Sequence, residues 1–272
     1  MSRVPRVPSS GLARARCDAN LAAYLRMLAE QVDGGRVDER DGVLLFAGGH
    51  NYPGAYTNGL VCTADVRGPL ALDHGRDFFC GPPPRGHAVW VRAHADADLA
   101  REVEERGLEE RPPAGGMAGL VLDDPGAVAV LDGPVRRVTD ERGAADYLTV
   151  AQDAYDVSDM PLALAETVLF SRASLLDDRV DAFVAYDGEQ PVSCILLFTD
   201  AGVSGMYWAA TVKSARGRGL ARTMATHAIA GAPGRGSPTV VQQASQQGAP
   251  LWESMGFREV TRYRRYYVKP SR

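Results

Sequence analysis

"RGRGLA", residues 216–221, sets two glycines and two arginines between an extended stretch and a helical one. Before it, "SGMYWAATV" (204–212) reads as a strand. After it, "LARTMATHAIAGA" (220–232) reads as a helix. A strand–loop–helix join of this kind leaves backbone N–H groups unpaired at the positive end of a helix, where an anion can take them up. Gly217 and Gly219 allow unusual dihedrals and close approach, and Arg216, Arg218 and Arg222 add positive charge. No Gly-Lys-Ser/Thr follows, so the loop is not a nucleotide P-loop. Arg222 stands where a Rossmann fingerprint needs its third glycine. On its own the loop could equally be a tight turn without a ligand.

Outward from the loop the pattern is mixed α/β. Downstream come a strand ("TVVQQAS"), a short helix ("GAPLWESMG") and a final strand or strands ("FREVTRYRRYYV"). Upstream, "RVDAFVAYDGEQPVSCILLFTD" is a hairpin turning at Asp187-Gly188. Two helices precede it, "DERGAADYLTVAQDAY" capped by Asp140 and "MPLALAETVLF" with Pro161 in its first turn. Further back, "CDANLAAYLRMLAEQV" is helical with Asp18 as its N-cap. "GVLLFAGG", "LVCT", "HAVWVRA" and "MAGLVLD" are strands, and "LALDHGRDFF" and "DADLAREVEERG" are helices.

The bulk numbers exclude some function classes. A chain of 272 residues with 45% hydrophobic content can bury one large or two ordinary domains. Its net charge of −4 and pI near 5.8 argue against a nucleic-acid binder. No apolar run is long enough for a membrane span. Cys17, Cys62, Cys80 and Cys194 are scattered without a CxxC pair, which argues for a reduced, cytoplasmic setting and against a metal site. The basic stretch at residues 1–16 lacks an apolar core, so it is read as a flexible tail rather than a secretory signal. Two lysines among 30 basic residues suggest a high-GC bacterial source.

Several segments together resemble the GNAT superfamily of N-acetyltransferases. Arg216, Gly219 and Ala221 match its Q/R-x-x-G-x-G/A signature, the strand 204–212 lies where the family's fourth strand lies, and "LWESMGF" (251–257) is similar to its L-Y-x-x-x-G-F segment. Ser245 and Gly248 stand where many members have Asn and Ala. The resemblance covers about residues 134–272.

It implies that the backbone amides of Arg218, Gly219, Leu220 and Ala221, with Gly217 nearby, cradle the pyrophosphate of acetyl-CoA or another short acyl-CoA, with Arg216 and Ser245 alongside. Ala210, Thr211 and Val212 would hold the pantetheine arm, and the strands 204–212 and 239–245 would splay apart. An amine would attack the thioester directly, with a main-chain N–H near Ala210 to Val212 polarising the carbonyl. No metal is implied.

Two departures from the pattern bear on catalysis. Trp252 replaces the tyrosine that protonates the leaving thiolate in many members, and an indole N–H is far too weak an acid for that. The acid could be dispensable, another hydroxyl (Tyr207, Ser245 or Tyr263) could serve, or the chain could bind acyl-CoA without turnover. Gly205 occupies the place of a glutamate base found in some members. Asp153, Asp156, Asp159 and Glu166 are the alternatives, or a water chain.

Residues 87–123 echo the layout of 239–268, a strand, a short helix and a strand, while "VRGPLALDHGRDFF" holds the phosphate loop's place without its glycines. The expectation is therefore a tandem. A degenerate GNAT-like half at 17–130 would cap the acceptor site of a cofactor-competent half at 131–272. Candidate acceptor-binding residues are His50, Asn51 and Tyr52 in the Gly-rich "HNYPGAYTNG" loop, and Tyr155. The acceptor is expected to be a small-molecule amine, with a peptide or protein N-terminus as the alternative. The oligomeric state is not legible.

Overall fold

The computed structural model describes residues 9–49, 54–81, 83–154 and 171–270. In chain order the elements are α1 (Ser9–Glu30), β1 (Arg36–Arg40), β2 (Val43–Ala47), β3 (Asn58–Cys62), α2 (Gly68–Phe79), β4 (His87–Arg92), α3 (Ala97–Glu105), β5 (Glu109–Glu110) and β6 (Met117–Leu122). There follow β7 (Val135–Arg137), α4 (Glu141–Ala154), α5 (Arg172–Leu175), β8 (Val180–Asp187), β9 (Gln190–Asp200), β10 (Val203–Thr211), α6 (Leu220–Gly231), β11 (Val240–Ala244), α7 (Ala249–Glu253) and β12 (Arg258–Val268).

Among the described residues the strands form one mixed sheet of twelve, ordered β1-β2-β3-β4-β12-β6-β11-β10-β9-β8-β7, with β5 against β12. Two strand pairs are parallel, β3 with β4 and β10 with β11, and each is joined by a crossover helix, α2 or α6. Each parallel pair is followed by a short helix and one more strand, β4–α3–β6 in the first half and β11–α7–β12 in the second. Those last strands are exchanged. β6 pairs with β11 of the second half, β12 pairs with β4 of the first, and the two run antiparallel beside each other at the centre.

The helices cover both faces. α6 buries Ala225, Ala228 and Ile229 against Ile195 and Leu197. α2 and α3 cover the equivalent face of the first half through Leu72, Leu99 and Val103. On the other face α1 spans both halves. Its Cys17, Leu21 and Leu25 pack with Phe46, Trp90 and Tyr263, while its Tyr24 and Leu28 join Tyr147, Phe198 and Tyr207.

The start of α1 corrects two expectations. Residues 9–16 are helical rather than a flexible tail: Ala13 opens the buried stripe that continues through Cys17 and Leu21 at helical spacing. The basic residues there are anchored, Arg14 Nε donating to the Val260 carbonyl at 2.8 Å and Arg16 to Thr239 Oγ1 at 2.6 Å. Asp18 therefore lies inside the helix, not at its N-cap. Its carboxylate accepts from Tyr263 Oη at 2.6 Å and Arg92 Nη1 at 3.1 Å. The Asp140 cap is present, its Oδ1 accepting from Gly143 N at 2.8 Å. The expected helix "MPLALAETVLF" lies outside the described residues.

Candidate active site

The parallel ladder between β10 and β11 is short. It pairs Ser204 with Val240, Gly205 with Val241 and Met206 with Gln242, and then stops. Just beyond, β10 is bulged between Tyr207 and Ala210, with Trp208 at φ 51°. Such a bulge turns the strand and lifts it from its neighbour. β11 continues to Ala244, held on its far side by β6. The two strands thus open a gap at their C-terminal ends, as the sequence led one to expect.

The glycine loop sits over this gap. Gly217 and Gly219 both have positive φ, 77° and 78°, and a Cβ at either would meet nothing within 4 Å. Their glycines answer a dihedral demand, not crowding by the protein. Gly219 is the N-cap of α6, with its carbonyl taking the N–H groups of Arg222 and Thr223. The amides of residues 217–221 find no protein acceptor among the described residues. Five consecutive free donors at the start of a twelve-residue helix fit a diphosphate. Thr211, Arg216, Gly219, Leu220 and Ala221 line one pocket there together with Leu251 of α7.

Around it Arg216 Nε donates to the Thr211 carbonyl at 3.0 Å, and Arg218 pairs with Asp187 at 2.6 Å, both exposed. Ala210 O accepts from Ser193 Oγ at 2.8 Å, and Val212 N donates to the Val192 carbonyl at 3.0 Å. The carbonyl side of this stretch is therefore tied back to β9 and to its own loop.

The expected catalytic residues are not gathered in one place. Tyr207 points to the α1 face, buried, where its ring stacks on Tyr24 at 3.8 Å and its hydroxyl donates to Asn20 Oδ1 at 2.8 Å. Burial holds its phenol well above the usual range. Tyr263 is likewise buried and committed to Asp18. Trp252 points to the opposite face, 6% exposed, edge-on to Phe257 at 6.1 Å. Ser245 alone of the three candidate hydroxyls is exposed, at the end of β11, where its Oγ accepts from Gly248 N at 3.2 Å. A Cβ on Gly205 would lie 1.9 Å from Asn20 Oδ1, so no glutamate can stand there while α1 is in place. Cys194 is a buried core thiol whose pKa burial pushes far up. Asp156, Tyr155, His50, Asn51 and Tyr52 lie outside the described residues.

The first half has the same plan with its cleft closed. Beyond the β3–β4 ladder, Arg92 Nη2 donates to the Ala64 carbonyl at 2.8 Å, and the guanidinium is clamped by Asp96 and Asp18. At the start of α2, Gly68 N donates to Asp98 Oδ2 at 2.7 Å, and Pro69 contributes no N–H. A carboxylate of the chain itself therefore takes the place where a bound anion would sit.

Three features went unread in the sequence. The bulge at Trp208 has no local signature. Asn20 gives no sign that it fills the space beside Gly205. The Gln243 amide and Arg265 Nε are buried polar groups without a hydrogen-bond partner among the described residues; their only hint is alternation with apolar and aromatic neighbours.

Among the described residues no helix is long and apolar enough to cross a membrane, and no cluster of His, Cys, Asp or Glu is placed to hold a metal. Residues 145–257 match the sequence model of the Acetyltransferase (GNAT) family. No curated protein matched the sequence. Among solved structures, the chain is similar to a GCN5-related N-acetyltransferase from Kribbella flavida, at 16% identity and a TM-score of 0.67, over 94% of this chain and 96% of that one. It is also similar to a GNAT-family protein described as a putative acetyltransferase from Novosphingobium aromaticivorans, at 16% identity and 0.56, over 96% and 99%. A tandem GNAT protein from the clavulanic acid biosynthesis pathway matches at 14% identity and 0.57, over 95% and 98%. These likenesses concern the fold alone; the family match concerns the half that carries the free amides. Residues 145–257 therefore carry the sequence pattern of the GNAT acetyltransferase family, and the whole chain has a fold similar to that of GNAT acetyltransferases, a tandem one among them.

Proposed function

We propose that the protein transfers an acetyl group from acetyl-CoA directly to a primary amine of a small molecule. The observation that carries this reading is the run of free amides at 217–221, set just past the point where β10 leaves β11. The loop would hold the diphosphate, and the stretch from Ala210 to Val212 would lie along the pantetheine arm. A main-chain N–H of that stretch other than that of Val212, which the Val192 carbonyl holds, would donate to the thioester oxygen as charge develops on it. The attacking amine forms the new C–N bond as the C–S bond breaks. Ser245 is the hydroxyl free to hydrogen-bond the departing sulfur, since Tyr207 and Tyr263 are committed elsewhere. Trp252 stays in the core, and a thiolate is a good enough leaving group that general-acid help, typically worth about 10²–10⁴-fold, is not obligatory. A small acceptor is favoured over a protein because the first half and α1 cover the face opposite α6.

The test is thiol release from acetyl-CoA across a panel of amines, with wild type and Gly219→Glu. Wild type is expected to release thiol only with an accepted amine. The variant, whose melting curve reports its fold, is expected to lose both acetyl-CoA binding and release, because the carboxylate occupies the anion site. Acetyl-CoA that binds the variant as well as wild type would sink the assignment of the loop.

A further inference from the structure

Among the described residues Arg265 has no counter-ion. It lies on β12, half-buried. Its Nη2 donates to the Pro112 carbonyl, its Cζ is 5.6 Å from the Trp90 ring centroid, and its Nε is buried with no partner among the described residues. Its neighbour Arg264 is paired with both Glu104 and Glu110. Arg265 has no such carboxylate, and the charged group that acts on it is Arg111, of the same sign. Burying a charge without a partner is costly, so folds rarely retain one without a use.

Gln243 is a second orphan. Both polar atoms of its amide are buried without a partner among the described residues. Gln243 follows Val241 by two on β11, and Arg265 follows Tyr263 by two on β12. Val241 and Tyr263 share the core beneath α1, so strand alternation puts Gln243 and Arg265 on that same face. β11 and β12 both run antiparallel to β6, so both orphans lie beyond the apolar core, toward the end where β10 and β11 part. Tyr56 bridges the distance. Its ring is 5.0 Å from that of Trp208, the bulge residue, and 5.2 Å from that of Trp90, on which Arg265 rests.

We propose that this face is the acceptor subsite and that it takes an amine bearing a carboxylate, which pairs with Arg265 while Gln243 hydrogen-bonds the substrate closer to the splay. The proposal rests on the acyl-transfer reading above. The carboxylate fits because Arg265 offers a planar fork with its Nε unused, which matches a planar two-oxygen anion. The partly exposed Tyr56 ring gives the intervening carbon chain an apolar wall, with Trp90 packed beneath it.

The experiment compares matched acceptors, a series of amino carboxylic acids of increasing length against their amino amides. It uses wild type, Arg265→Gln and Arg265→Lys, with acetyl-CoA binding measured calorimetrically for each. Wild type is expected to favour the best acid over its amide by about tenfold or more in kcat/KM, since a hydrogen-bonded charge pair is worth about that. Arg265→Gln should erase the preference through KM for the acid, leaving amide turnover and acetyl-CoA binding within about twofold. Arg265→Lys should restore part of it. A titration with the acid in the presence of CoA supplies a readout without turnover: tryptophan fluorescence should change in wild type, where Trp90 underlies Arg265, and not in Arg265→Gln. Equal use of acids and amides, equal loss of both in Arg265→Gln, or silence in both turnover and titration would each overturn the proposal. Acetyl-CoA that fails to bind wild type would instead bring down the acyl-transfer reading.

Discussion

Trp252 and His87 show how little of a residue's role its identity carries. In the sequence Trp252 raises a question about catalysis because of the segment it stands in. In the fold it is an interior side chain whose edge-on partner, Phe257, closes the same turn. His87 drew no attention in the sequence. It is 3% exposed, stacks on Phe79 at 4.2 Å, and burial pushes its imidazole down to about 4, against a backbone hydrogen bond with Arg85 that acts the other way. The unfolded chain takes up that proton near pH 6.5, while the folded chain refuses it until about 4. The contribution of His87 is thus complete above about 6.5 and is lost as the pH falls toward 4, amounting to about 3 kcal/mol over the window. Urea unfolding between these pH values should show that slope in wild type and a shallower one in His87→Phe. Identical slopes would mean that the ring is protonated in the folded state. By contrast the glycine loop was legible from sequence, because a positive φ at 217 and 219 leaves glycine as the favoured choice. Arg265 was not, since a strand that alternates Tyr and Arg looks the same whether or not each arginine has a partner.

The contact between α1 and β10 decides what the second half can carry at Gly205. Asn20 of α1 donates to the Val203 carbonyl at 2.9 Å and accepts from Tyr207, so its amide is fixed from two sides. Gly205→Ala would set a methyl group 1.9 Å from its Oδ1 and push the helix outward. The expected cost is about 1–3 kcal/mol, as for other overpacked interiors. In a double-mutant cycle by urea unfolding, Asn20→Ala should absorb much of the cost of Gly205→Ala. Strictly additive losses would show that the two do not touch. Periodicity located most helices and strands correctly. It missed β1, and it began α1 too late, because Arg14 and Arg16 disguise the buried stripe that Ala13 opens. Charged residues that bind sheet carbonyls look, in sequence, like a solvated tail.

For the molecule as a whole, the exchanged strands mean that neither half owns a complete sheet. The repeated strand–helix–strand layout was visible in the sequence. The exchange was not, since β6 and β12 are both apolar-rich strands and pairing between distant strands leaves no local mark. Residues 131–272 produced alone would expose the β11 edge that β6 covers and the face of β10 that α1 covers. They are expected to aggregate or to melt without cooperativity. The whole chain should unfold in one transition whose calorimetric and van't Hoff enthalpies agree. A soluble, sharply melting 131–272 fragment would show that the exchange is dispensable.

The same exchange sets a timetable for synthesis. β4 and β6 emerge from the ribosome well before the strand that belongs between them, which spans 258–268. The nascent first half must therefore keep two apolar strand edges from pairing with each other or with a neighbouring chain until residues 258–268 have been made. Chaperone demand for this protein should rise with slower elongation of its second half.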